Sequence, residues 1–193
     1  MPETNQNRSP RAARQNSRIP QPREEKAFEE FVINIDRVAR VVKGGRRFRF
    51  KALVAVGDRK NRVGVGVAKG ADVQAAVAKA TDVAKKNLIT IPVVNTTIPH
   101  DVEVKLSGAR VLLIPAAPGT GIIAGGVVRS IIGLTGINNL LSKSLGSTNK
   151  VNIAYATIQA LGELVPAEQW VGYKPKKAAA PTEKKVAATK EAK

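Results

Sequence analysis

The residues most suggestive of chemistry form a glycine-rich segment, "APGTGIIAGGVVRS", at residues 117–130. Glycines ahead of a helix occur in dinucleotide-binding loops, where they let the backbone approach a pyrophosphate. Here Gly119, Gly121 and Gly125 follow the pattern Gly-x-Gly-x-x-x-Gly, which is one residue too long for that fingerprint. The flanking pattern predicts two hairpin-like strands instead of a parallel strand–helix–strand unit, and no acidic residue follows at the distance that would hold a ribose. A nucleotide cofactor is therefore not expected, although the unpaired N–H groups of such a turn would suit phosphate or a closely packed neighbour.

Other candidate catalytic patterns are also incomplete. The segment "GVGVAKG" (64–70) resembles a phosphate loop, but its lysine is not followed by serine or threonine. His100 is the single histidine and has no cysteine or evident serine partner. Asp101 and Glu103 share a strand face, but no apolar surroundings would separate their pKa values. We therefore expect no enzymatic activity, no metal site and no small-molecule substrate.

The composition indicates a polyanionic partner. Among 193 residues, 32 Lys+Arg stand against 15 Asp+Glu, for a formal net charge of +17 and a pI near 10.5. Such an excess favours nucleic acid, with an anionic membrane surface as a weaker alternative. The chain has no cysteine, which excludes disulfides and thiolate metal sites. It begins without an apolar signal segment and contains no run of membrane-spanning length, so we expect a soluble intracellular protein with no membrane partner.

The charge is concentrated in one region of the chain. Residues 37–69 contain eleven basic residues and a single acidic one, Asp58. A merely solvated face would mix the two signs, so this region is predicted to be a binding surface. The basic tails are rich in Pro, Ala, Gln, Ser and Lys, and we expect them to stay disordered until an anionic partner orders them.

Alternating Val, Ile and Phe residues predict three strands near 31–42, 47–56 and 62–68. Gly44-Gly45 is a two-residue hairpin signal, and Gly57-Asp58 begins a second turn. Alternation predicts a core face on the second strand with Phe48, Phe50, Ala52, Val54 and Val56, and a cationic face with Arg47, Arg49 and Lys51. On the third strand, alternation places Val63, Val65 and Val67 on one face and Arg62, Gly64, Gly66 and Ala68 on the opposite face. The small residues would leave the backbone open to a partner, so we expect one core face and one flat cationic platform.

A helix beginning after Asp72 is expected to cover the core face. The second half predicts strands near 97–106 and 110–115 around a Ser107-Gly108 turn. After the glycine-rich segment, apolar residues from Ile123 onwards mark a helix ended by Gly136. A further short strand and a last helix, about 150–164, complete the prediction.

Two long motifs carry a family resemblance. "KGGRRFRFKALVAVGDRKNRVGVGVAKGADVQAAVAKA" and "PAAPGTGIIAGGVVRSIIGLTGINNLLSKSLGSTNKVNIAYAT" closely resemble the small-subunit ribosomal protein S5 family of the bacterial type. The resemblance covers about residues 28–165. It implies an α+β fold with a sheet and helix like those of double-stranded-RNA-binding domains, followed by a second small two-layer α+β domain. The implied division is a basic N-terminal tail (1–26), the RNA-binding-like domain (27–93), the second domain (94–168) and a Lys/Ala-rich tail (169–193).

The resemblance also implies binding to small-subunit (16S-type) rRNA, contacts with ribosomal proteins S4 and S8, and a place near the mRNA entrance. Assembly and translational accuracy would depend on these contacts. Charge and resemblance together give the following candidate rRNA-binding residues: Arg37, Arg40, Lys43, Gly44, Gly45, Arg46, Arg47, Arg49, Lys51, Arg62 and Lys69. The candidate glycine turn and protein–protein interface comprises Gly119, Thr120, Gly121, Gly125, Gly126 and Arg129.

A flat basic sheet without a recognition helix favours recognition of RNA shape and phosphate over base reading. Because the basic face has few aromatic residues, base stacking is expected to be minor. The expected location is the cytoplasm, within the small ribosomal subunit, with an organelle ribosome still possible. The alternative is a double-stranded-RNA-binding regulator that acts outside the ribosome.

Overall fold

The N-terminal half folds into an antiparallel sheet in the computed structural model, which describes residues 28–166 and 169–170. The two predicted tails lie almost wholly outside these described residues. The sheet contains β1 (Glu29–Val42), β2 (Gly45–Gly57), β3 (Arg62–Gly70) and β4 (Ile89–Thr90), in that spatial order. These strands include the three that alternation predicts.

The β1–β2 turn lies one residue earlier than predicted. Val42 pairs with Gly45, so the two loop residues are Lys43 and Gly44. Gly45 opens β2 with a φ of +127°, a conformation that glycine adopts without steric penalty. The glycine pair is therefore used, but only its first member belongs to the loop itself.

Helix α1 (Val73–Lys86) packs against one face of this sheet. Asp72 occupies the N-cap position as predicted, but its side chain makes no capping hydrogen bond. The buried contact is made almost entirely of small and β-branched residues: Ala52, Val54, Val56 and Ala68 from the sheet, and Ala76, Ala80 and Ala84 from the helix. Their small size lets the helix lie close to the strands.

The structure corrects the predicted assignment of faces. Val54 lies opposite Gly66 and Val56 lies opposite Gly64, so the glycines of β3 face α1 and are not open to a partner. Val63 and Val65 lie on the other face, with Leu53 and Ala55. Both faces of this sheet are therefore buried around residues 52–57 of β2. The predicted one-sided cationic platform does not extend along the whole length of the sheet.

The second half forms another four-stranded sheet with two helices. Its elements are β5 (Val102–Leu106), β6 (Ala109–Pro115), β7 (Ile122–Ile123), α2 (Gly126–Gly133), β8 (Leu140–Gly146) and α3 (Lys150–Gly162). The spatial order of its strands is β5-β6-β8-β7. The predicted Ser107-Gly108 turn joins β5 to β6, and the predicted additional strand is β8.

Three expectations about this half were wrong. The strand predicted near 97–106 begins only at Val102. Helix α2 begins only at Gly126, because Ile122 and Ile123 pair with β8 as strand β7. That pairing is parallel, so β7, α2 and β8 form a short parallel crossover where none was predicted. A strand of two residues gives too little periodicity to be recognised from sequence.

One hydrophobic core joins the two sheets. Leu53, Val63 and Val65 from the first sheet lie in the same buried cluster as Val111 and Leu113 of β6. Buried residues of α2 and α3 complete this cluster.

Backbone hydrogen bonds reinforce this junction. The N–H of Arg59 donates to Leu134 O at 2.9 Å, and the N–H of Asn61 donates to Thr135 O at 3.0 Å. The loop between β2 and β3 is thus fixed to the C-terminal end of α2. In the described residues, no helix combines the length and apolar character needed to cross a membrane.

Candidate nucleic-acid interface

The outer part of the β1–β2 hairpin extends beyond the covered part of the sheet. Residues 52–57 of β2 are buried, whereas residues 45–49 are exposed. Val41 is 74% exposed and Phe48 is 49% exposed, since neither α1 nor the second sheet covers the outer hairpin. A two-stranded ribbon that displays large apolar and cationic side chains in this way is typical of a binding surface.

One face of this hairpin is strongly cationic. In an antiparallel pair, directly opposed residues lie on the same face of the sheet. Arg47 pairs with Arg40, Val38 pairs with Arg49, and Lys51 pairs with Lys69. The register therefore places five predicted RNA-binding residues together: Arg40, Arg47, Arg49, Lys51 and Lys69. We call this surface the cationic face.

The hairpin also encloses a concave volume of about 670 Å³. Its charged lining is entirely basic and consists of Arg40, Lys43, Arg46, Arg47, Arg49 and Lys69. Backbone from Gly44 and Gly45 completes the wall near the turn. Clustered cations around a concavity without a lining carboxylate concentrate positive potential there, which favours an anion with several charges.

Asp36 partly balances the cationic face at its inner end. The Lys51 ammonium lies 2.7 Å from the Asp36 carboxylate, and Asn34 donates a further 2.7 Å hydrogen bond to it. The hydrogen bonds from Lys51 and then Asn34 lower the pKa of Asp36 below its usual value. Asp36 thus stays ionised and orients Lys51, while Arg47 and Arg49 further out have no carboxylate partner among the described residues.

The reverse face of the hairpin has a different character. Arg37, opposite Phe50, lies on this face with Arg46 and Phe48. The guanidinium carbon of Arg37 lies 3.7 Å from the centre of the Phe48 ring, which is a close cation–π contact. Val41 and Ile35 add exposed apolar surface beside it. We call this surface the aromatic face.

Arg62 lies apart from the other predicted RNA-binding residues. It is at the opposite end of β3 from Lys69, roughly 23 Å away at the usual rise per residue. Its guanidinium lies 2.7 Å from the Asp58 carboxylate, which is 4% exposed, and 5.5 Å from the Phe28 ring centre. Burial raises the pKa of Asp58, but hydrogen bonds from the Arg62 guanidinium and from the N–H groups of Lys60 and Arg62 outweigh it and lower the pKa below its usual value. These contacts give Arg62 a structural partner that the sequence did not reveal.

The glycine turn is held from inside the protein. The N–H groups of Gly119 and Gly121 both donate to the side-chain oxygen of Asn139, each at 3.1 Å. The N–H of Leu140 donates to Gly121 O at 3.1 Å. The expectation that these N–H groups would be free for phosphate is therefore wrong.

The outer side of the same segment is open. A Cβ atom built on Gly119, Gly121, Gly125 or Gly126 would meet no other atom within 4 Å. Thr120 is exposed at the tip. The Arg129 side chain folds back onto this segment and donates to Ile122 O at 3.2 Å. The six residues therefore form one surface around the glycine turn, β7 and the start of α2.

The remaining candidates are structural. "GVGVAKG" forms part of β3, so it is not a phosphate loop. The Nδ1 atom of His100 lies 2.8 Å from Asp101 O, and its Nε2 accepts the Val165 N–H at 3.0 Å. The Nε2 contact holds the backbone just after α3, whereas the Nδ1 contact is to the carbonyl of the next residue along the chain. Glu103 pairs with Arg110 on the neighbouring strand. In the part of the chain that the structure describes, no cluster of three metal-ligating side chains occurs.

Sequence reasoning missed Asn139, Asp36 and the Arg37–Phe48 contact. Asn139 follows Gly121 by eighteen residues, and nothing local distinguishes it from a loop asparagine. Asp36 and Lys51 form a pair only because of the hairpin register, as do Arg37 and Phe48. Moving the predicted turn to Lys43–Gly44 would have aligned these residues across the two strands.

Comparison with known proteins identifies the family. Residues 28–92 match the family described as "Ribosomal protein S5, N-terminal domain", and residues 104–171 match "Ribosomal protein S5, C-terminal domain". The chain is 53% identical over 137 residues to "Small ribosomal subunit protein uS5" of Thermus thermophilus, an alignment that covers 71% of this chain and 85% of the relative. The same protein from two individual strains of that organism gives the same values.

These matches cover both sheets, the hairpin and the glycine turn. The α+β architecture that the motifs predicted is present, with a sheet and its helix followed by a second sheet with two helices. The chain therefore belongs to the bacterial-type ribosomal protein S5 family (uS5), whose members are structural proteins of the small ribosomal subunit and not enzymes.

Proposed function

We propose that this protein is a structural constituent of the small ribosomal subunit that binds small-subunit rRNA through its β1–β2 hairpin. The single observation that carries the proposal is the register that gathers Arg40, Arg47, Arg49, Lys51 and Lys69 on one face of an exposed ribbon. Folding a chain so that five cations share one face costs electrostatic repulsion. A polyphosphate partner offsets that repulsion, and the small-subunit proteins among its relatives indicate rRNA as the polyphosphate.

The mechanism of binding is phosphate neutralisation by a shape-matched surface. Each contact between a cation and a phosphate releases a condensed counterion, so affinity falls steeply as salt rises. The cationic face is a strand pair, and it contains no recognition helix that would enter a groove and read base edges. Phosphate and sugar contacts therefore determine position and orientation along the RNA. Lys43, at the turn, extends the same charge to the tip of the hairpin.

A second surface is available for ribosomal proteins. We assign it to the open side of the glycine turn, where Gly119, Gly121, Gly125 and Gly126 leave room for close approach by another backbone. Ribosomal protein S4 is the proposed neighbour there, and S8 is a further proposed protein neighbour. In this arrangement the protein supports subunit assembly and translational accuracy, helps line the mRNA entrance and resides in the cytoplasm.

The proposed division follows the two sheets. Residues 27–93 form the RNA-binding-like domain and 94–168 the second domain, with tails at 1–26 and 169–193. This division assigns the hairpin and the glycine turn to different domains. Each surface then takes one class of partner, RNA for the first and protein for the second.

Sedimentation of a cell lysate through a sucrose gradient in high salt tests the proposal. We expect the protein to remain with the small subunit after the salt wash, because its release would require many contacts with the particle to break at the same time. Recovery at the top of the gradient, together with free RNA-binding proteins, would instead support a double-stranded-RNA-binding regulator that acts outside the ribosome.

The first prediction concerns the cationic face directly. Replacing Arg47 and Arg49 by Glu should weaken binding of the full-length protein to small-subunit rRNA and reduce the slope of log K against log salt by about two. Filter binding over a salt series measures both quantities.

The matched control places the same charge change elsewhere. Lys79 and Lys86 are exposed on α1, away from the hairpin, and their replacement by Glu also lowers the net charge by the same amount. The control should leave the salt slope nearly unchanged. Equal slopes for both double variants would show that binding depends on overall charge and not on this face.

A further inference from the structure

The aromatic face of the hairpin contains a planar group fixed in one position. The Arg37 guanidinium carbon lies 3.7 Å from the Phe48 ring centre, a separation possible only if the cation rests directly over the ring. Among the described residues no carboxylate forms an ion pair with Arg37, so the ring is its one defined contact. Both side chains are exposed, and Phe48 retains 49% of its accessible surface.

A guanidinium stacked on a ring is still available to a second planar partner. One side of its plane contacts Phe48, while the other side and the N–H groups at its edge face away from the ring. Arginine in this arrangement stacks on nucleobases and donates hydrogen bonds in the same plane. Lysine cannot do this, because its ammonium is a compact charge without a face.

The surroundings favour RNA over an apolar protein partner. Arg46 lies beside Phe48 on this face, and the cationic face lies directly behind it on the same two strands. A base held here would therefore have its own phosphate, or the next one, within reach of other cations. The exposed apolar side chains Val41 and Ile35 flank the pair and would exclude water from one edge of the base.

We propose that the Arg37–Phe48 pair is a stacking site for one unpaired nucleobase of the bound RNA. The proposal rests on the rRNA-binding function and assigns separate tasks to the two faces of the hairpin. The cationic face neutralises phosphates of any sequence, whereas the aromatic face selects RNA that presents a base outside its helix. The hairpin therefore prefers a bulge or junction to a regular duplex, and stacking is not the minor contribution that its composition suggested.

Two RNAs and conservative variants of the full-length protein test the site. One RNA is a fully paired duplex, and the other has the same sequence with one unpaired 2-aminopurine inserted in a strand. Arg37→Lys keeps the charge and removes the planar cation, while Phe48→Leu keeps an apolar residue and removes the ring. Arg110→Lys makes the same chemical change as Arg37→Lys on β6 of the second sheet, away from the hairpin, and serves as the matched control.

We expect Arg37→Lys and Phe48→Leu to weaken binding to the bulged RNA roughly tenfold, as loss of one stacked base does, and to leave duplex binding and the salt slope unchanged. Wild-type protein should quench 2-aminopurine fluorescence, and Arg37→Lys should not. Arg110→Lys should preserve both the quenching and the preference for the bulge. Thermal unfolding of each variant verifies that the hairpin remains folded.

The results separate this proposal from the one before it. Equal affinities of wild-type protein for the two RNAs, or a loss of affinity in Arg37→Lys that is the same for both, would overturn the stacking site and leave rRNA binding intact. Such a result would assign the aromatic face to a protein neighbour. If wild-type protein bound neither RNA at low salt, both proposals would be overturned.

Discussion

Asn139 shows how a single buried side chain maintains an exposed surface. Its oxygen accepts the N–H groups of Gly119 and Gly121, and its amide nitrogen donates to the Thr96 hydroxyl at 2.9 Å. The residue is 7% exposed, so these bonds are largely shielded from water. Because a buried polar group must be paired, the turn depends on this asparagine more than on its own sequence.

Removing this side chain should loosen the turn. Asn139→Ala leaves two N–H groups without their acceptor, and we expect it to lower the free energy of unfolding by about 1–3 kcal/mol. Amide exchange at Gly119 and Gly121 should accelerate more than exchange elsewhere. Urea unfolding and hydrogen exchange measure the two effects.

Asn139→Asp is the control for this prediction because it retains an acceptor oxygen for both glycines. We expect it to restore slow exchange at these two residues. Fast exchange in Asn139→Asp, or unchanged exchange in Asn139→Ala, would show that another contact holds the turn.

At the scale of elements, the packing of α1 on β3 depends on glycine. A Cβ atom on Gly66 would lie well inside van der Waals contact with Ala80 O, and one on Gly64 would clash with Ala84 O. The helix can therefore approach β3 only because these positions have no side chain. Alternating valine and glycine in β3 thus has a packing explanation within the domain itself.

We expect Gly66→Ala to destabilise the protein by more than the usual 1–3 kcal/mol for an overpacked core, because the clash is with backbone. Thermal and urea unfolding provide the measurement. Gly133→Ala, at the exposed end of α2 with no atom near the built Cβ, should be neutral or slightly stabilising. A neutral Gly66→Ala variant would contradict the proposed close approach.

Sequence patterns predicted most elements but not all their faces. Strands β1 to β3 and helices α1 and α3 were evident because alternation and helical spacing are local properties. The number of buried faces on β2 was not evident, because the residues at positions 52–57 are apolar or glycine on both faces of the strand. Such a strand is covered on two sides, and which layer covers each side depends on the register with β3 and on the rest of the chain.

The candidate site divides in the same way. The clustering of cations in residues 37–69 is a property of composition, so the sequence was sufficient to locate the candidate surface. The division of those cations between two faces, and the separation of Arg62, require the pairing of β1, β2 and β3. Family membership was recognised from the two long motifs. Charge and periodicity alone predict a polyanionic partner and do not identify the ribosome.

At the scale of the whole molecule, the two sheets share one core. Leu53 and Leu113 are both fully buried in it, one from each sheet, and hydrogen bonds from Arg59 and Asn61 cross the junction. A domain whose core continues into its neighbour cannot lose that neighbour without exposing apolar surface. Folding of the two halves is therefore coupled.

This coupling predicts a single unfolding transition. Leu113→Ala should lower the free energy of unfolding by about 2–5 kcal/mol. It should also lower the urea midpoint by the same amount for peptides from β2 and from β6. Hydrogen exchange followed by mass spectrometry resolves the two strands separately. If the backbone amides of β2 stayed protected from exchange after those of β6 had exchanged in this variant, the two halves would unfold independently.

The bonds from the β2–β3 loop to the end of α2 also have a mechanical consequence. They join the sheet that supports the hairpin to the helix that begins beside the glycine turn, with little slack between them. The hairpin and the glycine turn are therefore two surfaces connected through the same hydrogen-bonded junction. We therefore expect a partner that displaces one of these surfaces to move the other surface with it.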